Sequence, residues 1–273
     1  MPETSRRRAG KGKLLNDIFR NVLILSDFDG TFAGRDGRIV ERNIRAIESF
    51  KAEGGRFTFS TGRLPSVLSK KYPDFRKLAN APLIMANGAI LYEPASGEIL
   101  KECCFDGVIG RKAAKDILTA FPTAQFVVYS DSGILLEGIS PDEVPGNKWR
   151  KMRFQCRDEA TALQCRDYIA EKYGGLYNCF RSWYNVVEIV DKKAAKGNHI
   201  SFIRDYFRKQ GTKALKICCI GDYENDIDML KKADKAFCPK NAVDEVKAIC
   251  SYVLCDHDEG AVADMIDIIR TFR

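Results

Sequence analysis

A chain of 273 residues, 45% hydrophobic and 30% charged, has an ordinary globular composition and is long enough for one large α/β domain or two smaller ones. No apolar run approaches the ~20 residues needed to span a bilayer, and the charged start lacks the apolar stretch of a secretory leader. A cytoplasmic protein with reduced thiols is therefore expected, although the chain holds ten cysteines. There is no C-x-x-C pair, so zinc is not expected. The net charge of +7 is partly due to Arg6, Arg7, Arg8, Lys11 and Lys13, which read as a disordered, solvated tail over residues 1–20.

The first element is Val22 to Leu25, a short apolar run of the kind found in a strand buried on both faces. It leads into Ser26-Asp27-Phe28-Asp29-Gly30-Thr31. Alternation along an extended chain puts Asp27 and Asp29 on one side, and Gly30 permits a turn. Two acids at a strand end want a cation between them, and Mg²⁺ suits carboxylate ligands. A strand cap followed by an Asx-turn is the plainer reading of the same residues. A helix follows from about Glu41, with Ile44, Ile47 and Phe50 at helical spacing, and Gly54-Gly55 closes it. Arg56 to Ser60 alternates like a strand, which completes a βαβ unit with a parallel sheet. That strand ends in Thr61-Gly62-Arg63, with Pro65 placed to open a helix. A hydroxyl and a close-approaching glycine N–H suit a phosphate oxygen, and both loops fall at the same edge of the sheet.

Pro82 to Ala86 is a further strand run, ended by Asn87-Gly88 and followed by a hairpin around Pro94 and Gly97. From Cys103 to Val190 the pattern changes. A helix over 111–120, a strand pair at 125–129 and 133–138, a helix over 158–173 and a strand pair at 176–181 and 185–190 make an inserted α+β module. The chain then returns through Lys196-Gly197 to a helix with the stripe Ile200, Ile203 and Phe207. Lys216 to Ile220 is a strand, followed by Gly221-Asp222-Tyr223-Glu224-Asn225-Asp226. An EF-hand loop is excluded there, because Ile227 stands at the required glycine and Ala233 at the closing glutamate. Asp256 and Asp258 read as capping residues ahead of a last helix carrying Val262, Met265, Ile266 and Ile269. Cysteine-phosphatase, G-x-S-x-G and P-loop patterns are missing, so an aspartate is the most economical nucleophile.

Asp27-Phe28-Asp29-Gly30-Thr31, Ser60-Thr61-Gly62-Arg63, Lys196-Gly197 after the insertion, and Gly221-Asp222-x-x-Asn225-Asp226 occur in that order. Together they resemble the four motifs of the haloacid dehalogenase superfamily, in its Cof-like branch, over about residues 21–273. The resemblance implies a Rossmann-like three-layer α/β core with a mostly parallel sheet, built from residues 21–102 and 191–273. It implies an α+β cap over 103–190 that selects substrate. It further implies a Mg²⁺-dependent phosphatase acting on small phosphorylated metabolites, sugar phosphates among them, through an aspartyl-phosphate. Asp27 would be the nucleophile and Asp29 the general acid and base. Thr61, Gly62, Lys196 and Asn225 would hold phosphate. Asp27, Asp29 (through its main-chain carbonyl), Asp222 and Asp226 would serve the metal. Lys148, Arg150, Arg153, Arg181 and Trp183 are candidate substrate contacts in the cap. A phosphomutase on the same core is one rival; a non-catalytic protein holding nucleic acid by its tail and cap is another. No membrane or nucleic-acid partner is expected, and a monomer or a homodimer fits equally.

Overall fold

The computed structural model describes residues 17–130 and 135–272. The basic cluster lies outside the described residues. Asp17 to Arg20, at the end of the stretch expected as a tail, instead leads a turn into the first strand, and Phe19 is buried with its ring 4.7 Å from that of Phe50.

A five-stranded sheet forms the core, in the spatial order Tyr252–Val253, Lys235–Cys238, Lys216–Ile220, Val22–Ser26 and Arg56–Phe59. All four pairings are parallel. Leu23, Ile24 and Leu25 lose all exposure, as a central strand covered on both faces must. One face is covered by the helices Glu41–Ala52 and Ala261–Ile269, through Ile47, Phe50, Met265 and Ile266. The other is covered by Ile200–Lys209 and Ile227–Lys232, through Ile203, Phe207, Met229 and Leu230. The result is the expected three-layer arrangement. Ser60 bridges Ile84 in parallel, which hangs the antiparallel strands Leu83–Met85, Ile90–Tyr92 and Ile99–Glu102 on the sheet's edge.

The inserted module is an antiparallel sheet in the order Tyr177–Trp183, Val186–Asp191, Lys148–Gln155, Gln125–Ser130 and Leu135–Glu137. The helices Gly107–Ala120 and Glu159–Tyr173 cover one face, with Ile117, Trp149, Phe154 and Ile169 in its own core. The Asp106 side chain caps the first of these helices by accepting from Val108 N–H at 2.7 Å. Its central strand, Lys148–Gln155, was not legible in the sequence. Lys148, Arg150, Lys151 and Arg153 interrupt any apolar alternation, because one face of the strand looks away from the module's core. Among the described residues, no helix is long and apolar enough to cross a membrane.

Candidate active site

Parallel strands deliver their loops to one edge, where ligands of open α/β sheets collect. Asp27 follows the strand Val22–Ser26, Thr61 follows Arg56–Phe59, and Asp222 follows Lys216–Ile220. Lys196 enters from the return out of the inserted module, at the start of a 3₁₀ turn, Lys196–His199, that runs directly into the helix Ile200–Lys209.

Asp27, Asp222 and Asp226 converge, each buried, with one carboxylate oxygen from each within 4.8 Å of the others. Gly30 makes the approach possible: its φ is +79°, and a Cβ there would sit 2.4 Å from Asp222 Oδ2. Lys196 is buried among them, donating to Asp27 Oδ1 at 2.5 Å and Asp226 Oδ1 at 2.6 Å. The other oxygen of Asp226 accepts from Asp222 N–H at 3.1 Å and Tyr223 N–H at 3.3 Å, so this carboxylate also shapes the loop. Thr31 Oγ1 donates to Asp222 Oδ1 at 3.0 Å.

Burial pushes the Asp27 carboxyl up to about 7, with Asp226 adding to it against the pull of Lys196. Asp222 is raised well above the carboxylate range, first by burial and then by Asp27 and Asp226. Burial opposes the Lys196 charge, but Asp226 and Asp27 hold the ammonium above its ordinary range. Three carboxylates against one ammonium leave the cluster short of positive charge. Its donors are all hard oxygens, which fits Mg²⁺.

Asp29 departs from the expectation that both acids would face one cation. Its carboxylate is not part of the cluster. It accepts from Arg63 Nε at 2.6 Å and Nη2 at 2.7 Å, and from Lys71 Nζ at 3.1 Å. The turn at Gly30 carries it to the cleft wall, where cations were available on the adjoining loop and helix. Burial works to raise its pKa, but the hydrogen bonds and charge of Arg63, then Lys71, hold it below the ordinary carboxylate range.

Asp27, Asp29, Thr61, Gly62, Asp222 and Asn225 all line one cleft of about 930 Å³. Thr61 is buried, and its Oγ1 accepts from Arg63 N–H at 3.2 Å. Asn225 Nδ2 donates to Asn87 Oδ1 at 3.2 Å. Of the five cap residues singled out, Arg153 and Trp183 line this cleft. Arg150 is spent on Glu102 at 2.5 Å, and Arg181 on Glu224 at 2.6 Å and Glu159 at 2.7 Å. Lys148 sits where its strand pairs with Asp106, and it is not among the cleft's lining.

Sequence reasoning missed four participants. Lys151 reaches down from the module's central strand to Gly62 O at 2.9 Å and Glu188 Oε1 at 2.6 Å. Glu188 also accepts from Asn87 Nδ2 at 2.5 Å. Asn87 follows Ala86 in a left-handed turn, with φ of +54° and +50°. Such backbone strain is tolerated where surrounding bonds over-determine it, and the Asn87-Gly88 pair was the available signal. Glu224, inside the last motif, accepts from Arg181 and from Arg166 Nη1 at 3.0 Å, fastening the module to the core.

The chain is similar to known proteins over most of its length. Residues 24–266 match the family model of haloacid dehalogenase-like hydrolases. The chain is 22% identical, over 89% of its length and 96% of the relative's, to the 5-amino-6-(5-phospho-D-ribitylamino)uracil phosphatase YwtE of Bacillus subtilis. It is 23% identical to the chloroplastic endoribonuclease YBEY of Arabidopsis thaliana over 89% of its own length, but spans only 45% of that protein. The fold superposes on the HAD subclass IIB sugar phosphatase BT4131 with a TM-score of 0.74 at 19% identity, covering 90% of this chain and 98% of the other. With the family's pattern running through nearly all of its length, the chain belongs to the haloacid dehalogenase-like hydrolases.

Proposed function

We propose that this protein is a Mg²⁺-dependent phosphomonoester hydrolase that works through an aspartyl-phosphate. The observation that carries the reading is the buried trio Asp27, Asp222 and Asp226 around Lys196, at the edge where Thr61 and Gly62 also arrive. Asp27, Asp222 and Asp226, with the main-chain carbonyl of Asp29, would hold the metal, which when bound neutralises charge on a phosphoryl oxygen.

In the first step the Asp27 carboxylate attacks phosphorus, forming the acyl-phosphate bond as the bond to the leaving oxygen breaks. Asp29 gives that oxygen a proton. In the second step Asp29 takes a proton from water, and the water oxygen attacks phosphorus. Inorganic phosphate leaves and the Asp27 carboxylate is restored. Lys196, Thr61 and the backbone N–H of Gly62 hold the phosphoryl oxygens, and Asn225 orients them. Arg63 keeps Asp29 in place between the steps and must loosen its grip for Asp29 to carry a proton.

Residues 103–190 act as the substrate-selecting cap, and small phosphorylated metabolites, including sugar phosphates, are the substrate class. Likeness to a ribitylaminouracil phosphatase and to the fold of a sugar phosphatase supports that class. The test is turnover of p-nitrophenyl phosphate with Mg²⁺, with EDTA, and with Asp27→Asn. Activity is expected only in the first case. A fully active Asp27→Asn protein would end the nucleophile assignment, and full activity in EDTA would end the metal's.

A further inference from the structure

Lys151 and Glu188 stand on adjacent strands of the inserted module, Lys148–Gln155 and Val186–Asp191, and both are buried. Lys151 Nζ donates to Glu188 Oε1 at 2.6 Å and to Gly62 O at 2.9 Å. The other carboxylate oxygen of Glu188 accepts from Asn87 Nδ2 at 2.5 Å. Asn87 Oδ1 in turn accepts from Asn225 Nδ2 at 3.2 Å. A chain of hydrogen bonds thus runs from the module to Gly62 and Asn225, two residues assigned to phosphate. Every bond in it has a dictated direction, because an ammonium only donates and a carboxylate only accepts. Glu188 therefore takes the NH₂ end of the Asn87 amide, which leaves the Asn87 oxygen for Asn225. Asn225, which lines the cleft, must then turn its own NH₂ end to Asn87. One buried carboxylate on the module selects between the two orientations of that amide.

The peptides of the Thr61 loop are held by the same residues. A trans peptide points its C=O and its N–H in opposite directions. Asn87 N–H donates to Thr61 O at 3.0 Å, and so sets where the Gly62 N–H points. Lys151, holding Gly62 O, sets the Arg63 N–H, which donates to Thr61 Oγ1 at 3.2 Å. The Thr61 hydroxyl, accepting there, is set to donate its own proton to a phosphoryl oxygen. Packing leaves the loop little slack. A Cβ at Gly62 would sit 3.1 Å from Asn87 Oδ1 and 3.4 Å from Glu188 Oε2.

We propose that Lys151 and Glu188 are positioning residues for the phosphate site. Lys151 fixes the Gly62 carbonyl, and Glu188 fixes the Asn225 amide through Asn87, so the module builds part of the site instead of only choosing among substrates. The proposal rests on the phosphatase reading above. It differs from substrate selection in what is lost with it. Inorganic phosphate carries no leaving group for a cap to select, so its affinity reads the site alone. In Glu188→Gln, Lys151 still requires the oxygen end of the new amide. An NH₂ then faces the NH₂ of Asn87, and the orientations beyond it must invert. The double variant Asn87→Asp with Glu188→Gln restores every bond direction, because carboxylate and amide have exchanged places. Aspartate also tolerates the φ of +54° at position 87.

The full chain with Mg²⁺ is assayed on p-nitrophenyl phosphate, and its affinity for inorganic phosphate is measured by calorimetry. Glu188→Gln is expected to lower both kcat/KM and phosphate affinity by about tenfold or more, as misplaced groups do. The double variant should recover most of both losses. Circular dichroism shows whether each variant is folded. If Glu188→Gln is not, Asn87→Gly takes its place, since glycine suits the left-handed turn and removes the relaying amide. Unchanged kcat/KM and phosphate affinity in the folded single variant overturn the positioning, and so does a double variant no better than Glu188→Gln. A wild-type protein that binds phosphate but hydrolyses no ester overturns the phosphatase reading, while phosphate affinity in the variants still decides the positioning. A wild-type protein that does neither overturns both.

Discussion

Arg63 grips the Asp29 carboxylate in a two-pronged pair, Nε to Oδ2 at 2.6 Å and Nη2 to Oδ1 at 2.7 Å. The parallel fork is a geometry only a guanidinium supplies. It fixes the direction of the carboxylate in its ionised form, the form proposed to take a proton from the attacking water in the second step. General acid–base help is worth about 10²- to 10⁴-fold, and misplacing the group forfeits part of it. Arg63→Ala should therefore lower kcat by about 10- to 100-fold in a folded protein. Arg63→Lys should recover only part, since an ammonium is a point charge without the fork. Steady-state kinetics on p-nitrophenyl phosphate reads both, and an unchanged kcat in Arg63→Ala would take Arg63 out of the proton-transfer machinery.

Lys196 is the only cation hydrogen-bonded to the buried trio among the described residues, touching Asp27 and Asp226 at once. Lys196→Met keeps most of the volume and removes the charge. Breaking a buried pair from one side costs about 3–5 kcal/mol, because the remaining charges lose their compensation. Urea unfolding in EDTA should show a loss of that order. Mg²⁺ binds the folded trio and not the unfolded chain, so it should stabilise Lys196→Met more than the wild-type protein. If Mg²⁺ moves neither midpoint, the trio is not a cation site.

The cap meets the core through Lys151, whose ammonium contacts Glu188 at 2.6 Å and Gly62 O at 2.9 Å, both side chains being nearly inaccessible. Lys151→Met strands the Glu188 carboxylate and should cost about 3–5 kcal/mol. Replacing both, as Lys151→Met with Glu188→Leu, removes the two charges together and should cost less than Lys151→Met alone. Urea midpoints of the two single variants and the double variant check this. Strict additivity would mean that the pair is not coupled.

The sequence made legible what local pattern determines. Val22 to Leu25 announced a central strand because burial on both faces leaves no polar position. Ile200, Ile203 and Phe207 announced a buried helix face by spacing alone, and all three are buried. Asp27, Thr61, Lys196 and Asp222 stood out because each follows a strand or opens a turn, and the sheet brings them to one edge. What stayed hidden depends on distant partners. The strand Lys148–Gln155 carries four cations, and their reason appears only when Lys151 meets Glu188 and Arg150 meets Glu102. Alternation put the Asp29 carboxylate beside that of Asp27, but Arg63, 34 positions away, takes it, which leaves the main-chain carbonyl as the Asp29 group proposed for the metal. The register shift between Arg181 and Trp183 leaves no mark on sequence alternation, since register is a property of two strands.

The closing helix is fastened to the first by Arg270, whose Nη2 donates to Glu53 Oε1 at 2.8 Å, while Ser49 Oγ donates to the same oxygen at 3.0 Å. Glu53 also accepts through its main-chain oxygen from Phe19 N–H at 3.0 Å, and Arg270 lies over the Phe19 ring. The Arg270 hydrogen bond holds the Glu53 carboxyl below its ordinary value, against a smaller effect of burial. A carboxyl whose pKa is lowered on folding contributes stability above its unfolded value, and that contribution disappears as pH falls through the folded value. Glu53→Gln should therefore melt at a lower temperature than the wild-type protein at pH 7. The gap should narrow as pH falls below about 4.3, the ordinary glutamate value, while the other carboxylates shift both proteins alike. Thermal melts of the two proteins between pH 7 and pH 3 measure the gap. A gap that stays constant over the whole range would assign the effect to packing and remove the ion pair from the account of how the two ends of the core are joined.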